Sequence, residues 1–236
     1  MIRKRIWSIK NFSSEALKKY DLFWIGEIHG IRENYKAYKT ILPYLAKNGF
    51  RNILWEMPSD FSEKSEYTED ARINPFSIKF LKWLNEQINI GNIDNLTFFG
   101  ETTPEDYGGI IPEDIHSRTI VRENRMAEEV IDKSRNTKSV VITGNYHIMN
   151  LASKGRGEKS AADFIKEKSN LKILKIYLDY SGGTFYNYGY KTLIKKNSYK
   201  ESNLEFGTIS RHGDKFFFHV GRVNAVFKSP KIKTTK

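Results

Sequence analysis

The feature that most constrains this chain is a series of short apolar bursts separated by stretches of helical periodicity. Leu22-Phe23-Trp24-Ile25, Ile53-Leu54-Trp55, Leu96-Thr97-Phe98-Phe99 and Val140-Val141-Ile142-Thr143 come first, then Leu171 to Leu178 and Lys215 to Val220. Strands apolar at successive positions are buried on both faces, as in parallel sheets covered from two sides. Between the first two bursts, Ile31, Tyr35, Tyr38, Leu42 and Leu45 fall at steps of 4, 3, 4 and 3, one face of an α-helix. Pro43 is expected to kink or interrupt that helix, and Gly49 to stop it. The same patterning predicts helices over 78–90, 117–133 and 160–168. Alternating strand and helix predicts an α/β fold, a mostly parallel β-sheet flanked by helices on both faces.

A length of 236 residues fits one domain over 1–227, followed by a basic tail, 228–236, expected to be flexible. The chain has no cysteine, which excludes disulfides, thiolate nucleophiles and cysteine-bound metal. The basic start MIRKRIWSIKNF is not followed by the apolar run of a secretory signal, and nothing approaches the ~18–20 apolar residues of a membrane span. The expectation is a soluble, cytoplasmic protein. A net charge of +11 raises the question of nucleic acid. Its lysines are scattered, however, and no helix carries a continuous basic stripe, which argues against that partner. A small-molecule or peptide substrate, including an anionic one, is compatible with the same charge.

In open parallel sheets, ligands bind outside the carboxyl ends of the strands. The residues that follow the bursts are therefore informative. Gly26-Glu27-Ile28-His29-Gly30 follows the first, Glu56 the second, Gly100-Glu101 the third, and Gly144-Asn145-Tyr146-His147 the fourth. Carboxylates and imidazoles thus gather at one rim, with Gly26 and Gly144 expected to let the chain leave the sheet sharply. Singly, each such residue is as readily a helix cap or a satisfied structural group; together they point to chemistry.

The helix over 117–133 adds to the rim. Glu123 lies on the stripe of Met126, Ala127 and Val130, where an unpaired acid is costly, and Arg122 flanks that stripe. Two readings of Glu123 stand: it faces the rim beside Arg122, or it serves the start of its own helix. Arg118, Arg125 and Glu129 fall on another face and are expected in solvent. The long polar segments 59–75 and 102–115 are either binding loops or plain surface insertions. His219, in an apolar strand, is expected to be packed rather than reactive. Tyr186, Tyr188 and Tyr190 are read as one strand with a packed face.

The ordered set Gly26-Glu27-Ile28-His29, Glu56, Arg122-Glu123 with Met126-Ala127, and Gly144-Asn145-Tyr146-His147 resembles the superfamily of the erythromycin esterases and the ChaN-like, Tiki-related proteins. The resembling segments are 25–60, 121–131 and 140–150, with a weaker echo to about 165. One residue between Glu27 and His29 matches ChaN-like members; Gly30, Glu33, Gly49-Phe50 and Glu56 look more like the esterases. The chain is much shorter than an erythromycin esterase.

The resemblance implies a hydrolase whose catalytic residues are Glu27, His29, Glu56, Arg122 and His147. In its metal-independent form, His29 is the general base on water, Glu27 or Glu56 orients it, and His147 or Arg122 stabilises the oxyanion. The substrate would be an ester, lactone, peptide or phosphoester. In its metal-dependent form, the two imidazoles and the carboxylates hold one divalent ion. The alternative from another class is a non-enzymatic haem or small-ligand binder of ChaN-like type.

Overall fold

The computed structural model describes residues 6–11, 17–68, 71–149, 159–187, 190–194, 204–212 and 215–227. The tail 228–236 and Tyr188 lie outside the described residues. In chain order the elements are β1 (Ile6–Ser8), β2 (Leu22–Glu27), α1 (Asn34–Lys47), β3 (Asn52–Glu56), α2 (Pro75–Asn89), β4 (Asn95–Phe99), α3 (Ile115–Lys133), β5 (Ser139–Gly144), α4 (Ala161–Lys168), β6 (Ile173–Asn187), β7 (Tyr190–Ile194), β8 (Thr208–His212) and β9 (Lys215–Val223).

All nine strands join one sheet in the order β1-β8-β9-β6-β2-β5-β3-β4, with β7 paired to the far end of β6. The six strands from β9 to β4 run parallel, and β1, β7 and β8 add antiparallel pairs. The mostly parallel sheet is as the apolar bursts predict. The three antiparallel strands were not anticipated, being short or broken by polar residues.

The apolar bursts bury both faces for the reason expected. Phe23 and Ile25 of β2 pack with Tyr38, Leu42 and Phe80 of α1 and α2. Leu22 and Trp24, the alternate residues, pack with Met126, Val130 and Ile165 of α3 and α4. Each large side chain so buried contributes roughly 1.5–3 kcal/mol. Polar caps set the helix starts: Asn74 accepts from the Phe76 and Ser77 amides, Asp114 from Ser117, and Ser160 from Asp163.

Helix α1 runs through Pro43 to Lys47, so of the two outcomes expected there the proline does not interrupt it. Buried Leu42 and Leu45 hold the turn on either side of the proline, so its missing N–H costs one hydrogen bond rather than the helix. Gly49 does end the helix, at φ 89°, with the Phe50 amide donating to Leu45 O. The Tyr186–Tyr190 run is not one strand: β6 turns there into β7, pairing Asn187 with Tyr190. No helix of the described residues is long and apolar enough to cross a membrane.

Candidate active site

Strand β5 lies between β2 and β3 in the sheet, although it follows both in sequence. The chain direction therefore switches at the centre of the sheet, and the crevice beyond a switch point is where α/β folds bind ligands. Glu27, Glu56 and Gly144 are the last residues of β2, β3 and β5. They open onto a cleft of about 780 Å³ that is also lined by His29, Arg72, Arg122, Glu123 and His147. All five residues singled out in the sequence line this cleft, as do Glu101 and Asn145.

The glycines act by close approach rather than by turning the chain. Gly26 lies inside β2, and a Cβ there would meet the Ile148 side chain at 2.4 Å and Asn145 Oδ1 at 2.5 Å. A Cβ on Gly144 would stand 3.1 Å from His29 Nε2. The missing side chains let the loop after β5 fold down over β2 and bring the two histidines together.

The side chains form one continuous chain of hydrogen bonds and ion pairs. Glu27 Oε1 lies 2.8 Å from His29 Nδ1, and His29 Nε2 lies 3.7 Å from Glu56 Oε2. Glu56 Oε1 is 3.4 Å from His147 Nε2, and His147 Nδ1 is 2.7 Å from Glu123 Oε1. Arg122 Nη2 donates to Glu56 Oε1 at 2.6 Å, and the Gly144 amide donates to Oε2 at 2.9 Å. Glu123 therefore faces the site. Its other oxygen accepts from the Ala161 amide at 2.8 Å, so it serves the start of α4 rather than of its own helix.

Burial opposes charge on all three central groups, and their mutual attraction overrides it. Burial alone would push the Glu56 carboxyl up, but His147, His29 and Arg122 hold it well below the usual carboxylate range. Burial would push His147 down, but Glu56 and Glu123 raise it to about 9. Burial likewise works against the His29 cation, and hydrogen bonding to Glu27 with the charge of Glu56 raises its pKa, Arg72 working the other way. His147 is thus a buried imidazolium at neutral pH. His29 is the more accessible imidazole, its side chain 25% exposed against 5% for His147.

A further shell was not legible in the sequence. Tyr38 Oη and Asn34 Nδ2 both donate to Glu27 Oε2, and Asn34 Oδ1 accepts from Tyr180 Oη at 2.8 Å. The Ile28 amide donates to the same Tyr180 oxygen at 3.2 Å. Burial and then the Glu27 charge push the Tyr38 and Tyr180 phenols well above their ordinary range, so both remain proton donors. The ring of Tyr38 lies on the core stripe that the periodicity predicts; its hydroxyl at the ring's end is what periodicity does not register. Arg72, from the 59–75 segment, also reaches the cleft, its Nη1 3.8 Å from Glu56 Oε1. Arg125 and Glu129 are not simply solvated: they pair at 3.5 Å, and Glu129 accepts from the Gly100 amide at 3.0 Å.

A divalent ion fits this donor set poorly. Glu56, the one carboxylate between the two histidines, is already held by a guanidinium and a backbone N–H. Among the described residues, no group of three or more His, Asp or Glu side chains has the arrangement of a metal site. A haem macrocycle fits poorly too, since the wall is built largely of charged and hydroxyl side chains such as Arg72, Arg122, Thr102, Thr103 and Thr119.

No protein-family model and no curated protein sequence matches the chain. Two solved structures share the fold. One, a succinoglycan biosynthesis protein, has 12% sequence identity and a TM-score of 0.60, with 89% of this chain and 91% of that chain covered. The other, a Bacillus cereus protein, has 10% identity and a TM-score of 0.62, with 91% and 93% covered. The likeness establishes the α/β architecture over nearly the whole chain.

Proposed function

We propose that this chain is a hydrolase that activates water at His29, akin to the erythromycin esterase and ChaN-like superfamily. The observation that carries the reading is the position of His29. Its Nδ1 is bound to a buried carboxylate that Asn34 and Tyr38 also hold, and its Nε2 is at the cleft, between Gly144 and Glu56. A carboxylate on Nδ1 fixes the tautomer that leaves Nε2 free to accept a proton.

In this mechanism the neutral His29 takes a proton from water as the oxygen attacks the acyl carbon or phosphorus; the bond to the leaving oxygen or nitrogen then breaks, and the His29 imidazolium returns its proton to that atom. Glu27 stabilises the imidazolium that forms. The cation of His147 and the Arg122 guanidinium stand across Glu56 from His29 and offset the charge that develops on the attacked group. Glu56 holds these groups apart and keeps both imidazoles oriented. No serine nucleophile takes part. A chain without cysteine is compatible with a cytoplasmic setting.

A panel of ester, lactone, peptide and phosphoester substrates, run with and without chelator, tests the reading. Turnover of at least one class is expected, insensitive to chelator and lost in His29→Ala. Metal content of wild type beside His147→Ala and Glu27→Ala provides the second arm. Near one equivalent of metal, lost in both variants, would replace the metal-independent mechanism with the metal-dependent one. Turnover undiminished in His29→Ala would sink both.

A further inference from the structure

One polar side chain of the cleft is held by nothing that explains it. Asn145 lines the cleft and opens the short 3-10 turn, Asn145–Ile148, that carries His147. An asparagine at the start of a turn commonly caps it through its side-chain oxygen. Asn145 does not: its Oδ1 is buried and, among the described residues, accepts no hydrogen bond. The oxygen rests on Gly26 of β2, where a Cβ would stand 2.5 Å from it. A buried acceptor without a donor is destabilising, because it has lost water and gained no partner. Such groups are few in folded proteins, and a catalytic role is one physical reason for keeping one.

The backbone fixes where this amide stands. Gly144, just before it, lies opposite Glu27 in the sheet and flanks His29, whose Nε2 a Cβ on Gly144 would approach to 3.1 Å. Asn145 O accepts from the Met149 amide at 3.1 Å, which closes the turn. His147, two residues on, is buried between Glu56 and Glu123. The chain thus passes from one imidazole to the other, and Asn145 lies between them. Its Oδ1 and Nδ2 share one carbon. With Oδ1 turned down onto β2, Nδ2 is the accessible end of the amide, and it donates to no described residue. It carries two N–H donors.

We infer that Asn145 is the oxyanion donor of this cleft, its Nδ2 receiving the carbonyl or phosphoryl oxygen of the group that water attacks beside His29. The inference rests on the hydrolase reading. As the water oxygen bonds to carbon or phosphorus, negative charge gathers on that carbonyl or phosphoryl oxygen, and an Asn145 N–H donates to it without giving up its proton. When the bond to the leaving oxygen or nitrogen breaks, the charge withdraws, and the proton for the leaving atom comes from His29. A donor already fixed in place, with no bond of its own to break, needs no reorganisation as the charge develops. The buried, unpartnered Oδ1 is the other side of that orientation.

The test is steady-state kinetics of the full chain carrying Asn145→Ala or Asn145→Asp, on the substrate class that the wild type turns over. Asn145→Asp keeps the shape of the side chain and removes the donor. In both variants kcat should fall by about 10²–10³-fold, the usual worth of one oxyanion donor, with KM little changed. Thermal unfolding should show Asn145→Ala at or above the wild-type Tm, since the variant loses an acceptor that had no partner. A loss of kcat below about tenfold in folded Asn145→Ala, a loss confined to KM, or a lowered Tm in that variant overturns the donor. Absence of turnover in the wild type removes the hydrolase reading, and the donor is then read by NMR. The probe is inorganic phosphate, a tetrahedral oxyanion, and the signal is the Asn145 side-chain amide, identified by its loss in Asn145→Asp. A saturable shift of that signal keeps the donor without the hydrolase, and an unmoved signal overturns it.

Discussion

Two regions of this molecule are built from the same parts and end differently. At the cleft, carboxylates hold Nδ1 of His29 and His147, and each Nε2 turns toward Glu56 at the strand ends. Toward the antiparallel edge of the sheet, Asp179 of β6 holds His219 Nδ1 of β9 at 2.8 Å, and His219 Nε2 meets Ser210 Oγ of β8 at 2.8 Å. In order of contacts the second group is an Asp–His–Ser chain. Yet Ser210 is 2% exposed and sits within a strand ladder opposite Phe217, and none of the three lines the cleft. A hydrogen-bond sequence alone does not make a reactive site; it also needs a strand end and a cavity where a reacting atom can sit.

The sharpest break of this comparison is in rate. His29→Ala should lose roughly 10²–10⁴-fold in kcat/KM, the usual worth of a general base, while Ser210→Ala should keep wild-type turnover. A Ser210→Ala protein that folds and is inactive would reverse the assignment of the two regions.

The second contrast is in pH. His147 has a folded-state pKa above its unfolded value of 6.5, so its contribution to stability is complete below about 6.5 and is lost as pH rises through about 9. Urea unfolding of the wild type should therefore show stability falling over that window, by on the order of 3 kcal/mol, with the fall flattened in His147→Gln. Glu56 works in the opposite sense: its depressed carboxyl contributes above about 4.5, and that contribution fades as pH falls below it. In turnover, the acid limb follows deprotonation of His29, above 6.5, and the alkaline limb follows loss of the His147 proton near 9.

Smaller effects test how each histidine is held. Tyr180→Phe removes the donor to Asn34 and the acceptor for the Ile28 amide, both behind Glu27. It should cost about 1–3 kcal/mol and shift the acid limb of the rate profile. A loss of stability with an unmoved profile would make Tyr180 a packing residue only. Ser210→Ala should cost least, about 1 kcal/mol by thermal unfolding.

The parallel core and the rim were legible because both follow from single-residue patterns. Apolar bursts mark doubly buried strands, and polar residues directly after them mark the open end. Arg72 was not legible, because its place depends on a strained turn at Ala71 and a cap at Asn74 that no periodicity announces. Tyr180 was missed for another reason: it reaches the site through Asn34 and Ile28, 146 and 152 positions away, while Asn34, seven positions from Glu27, lies off the apolar stripe that marks its helix. The role given to Gly26 failed because its constraint is the Ile148 and Asn145 side chains lying over it.

One tie has a consequence for how the protein is made. Gly30 O, one residue after His29, accepts from the Tyr186 and Val226 amides, and Arg32 N donates to Asn224 O. The loop that carries His29 is thus fastened by residues far downstream in the chain. His29 and Val226 are 197 positions apart, about 10–40 s of synthesis at ~5–20 residues per second. During that interval a nascent chain carries His29, the proposed general base, on a loop whose fastening residues have not yet been made.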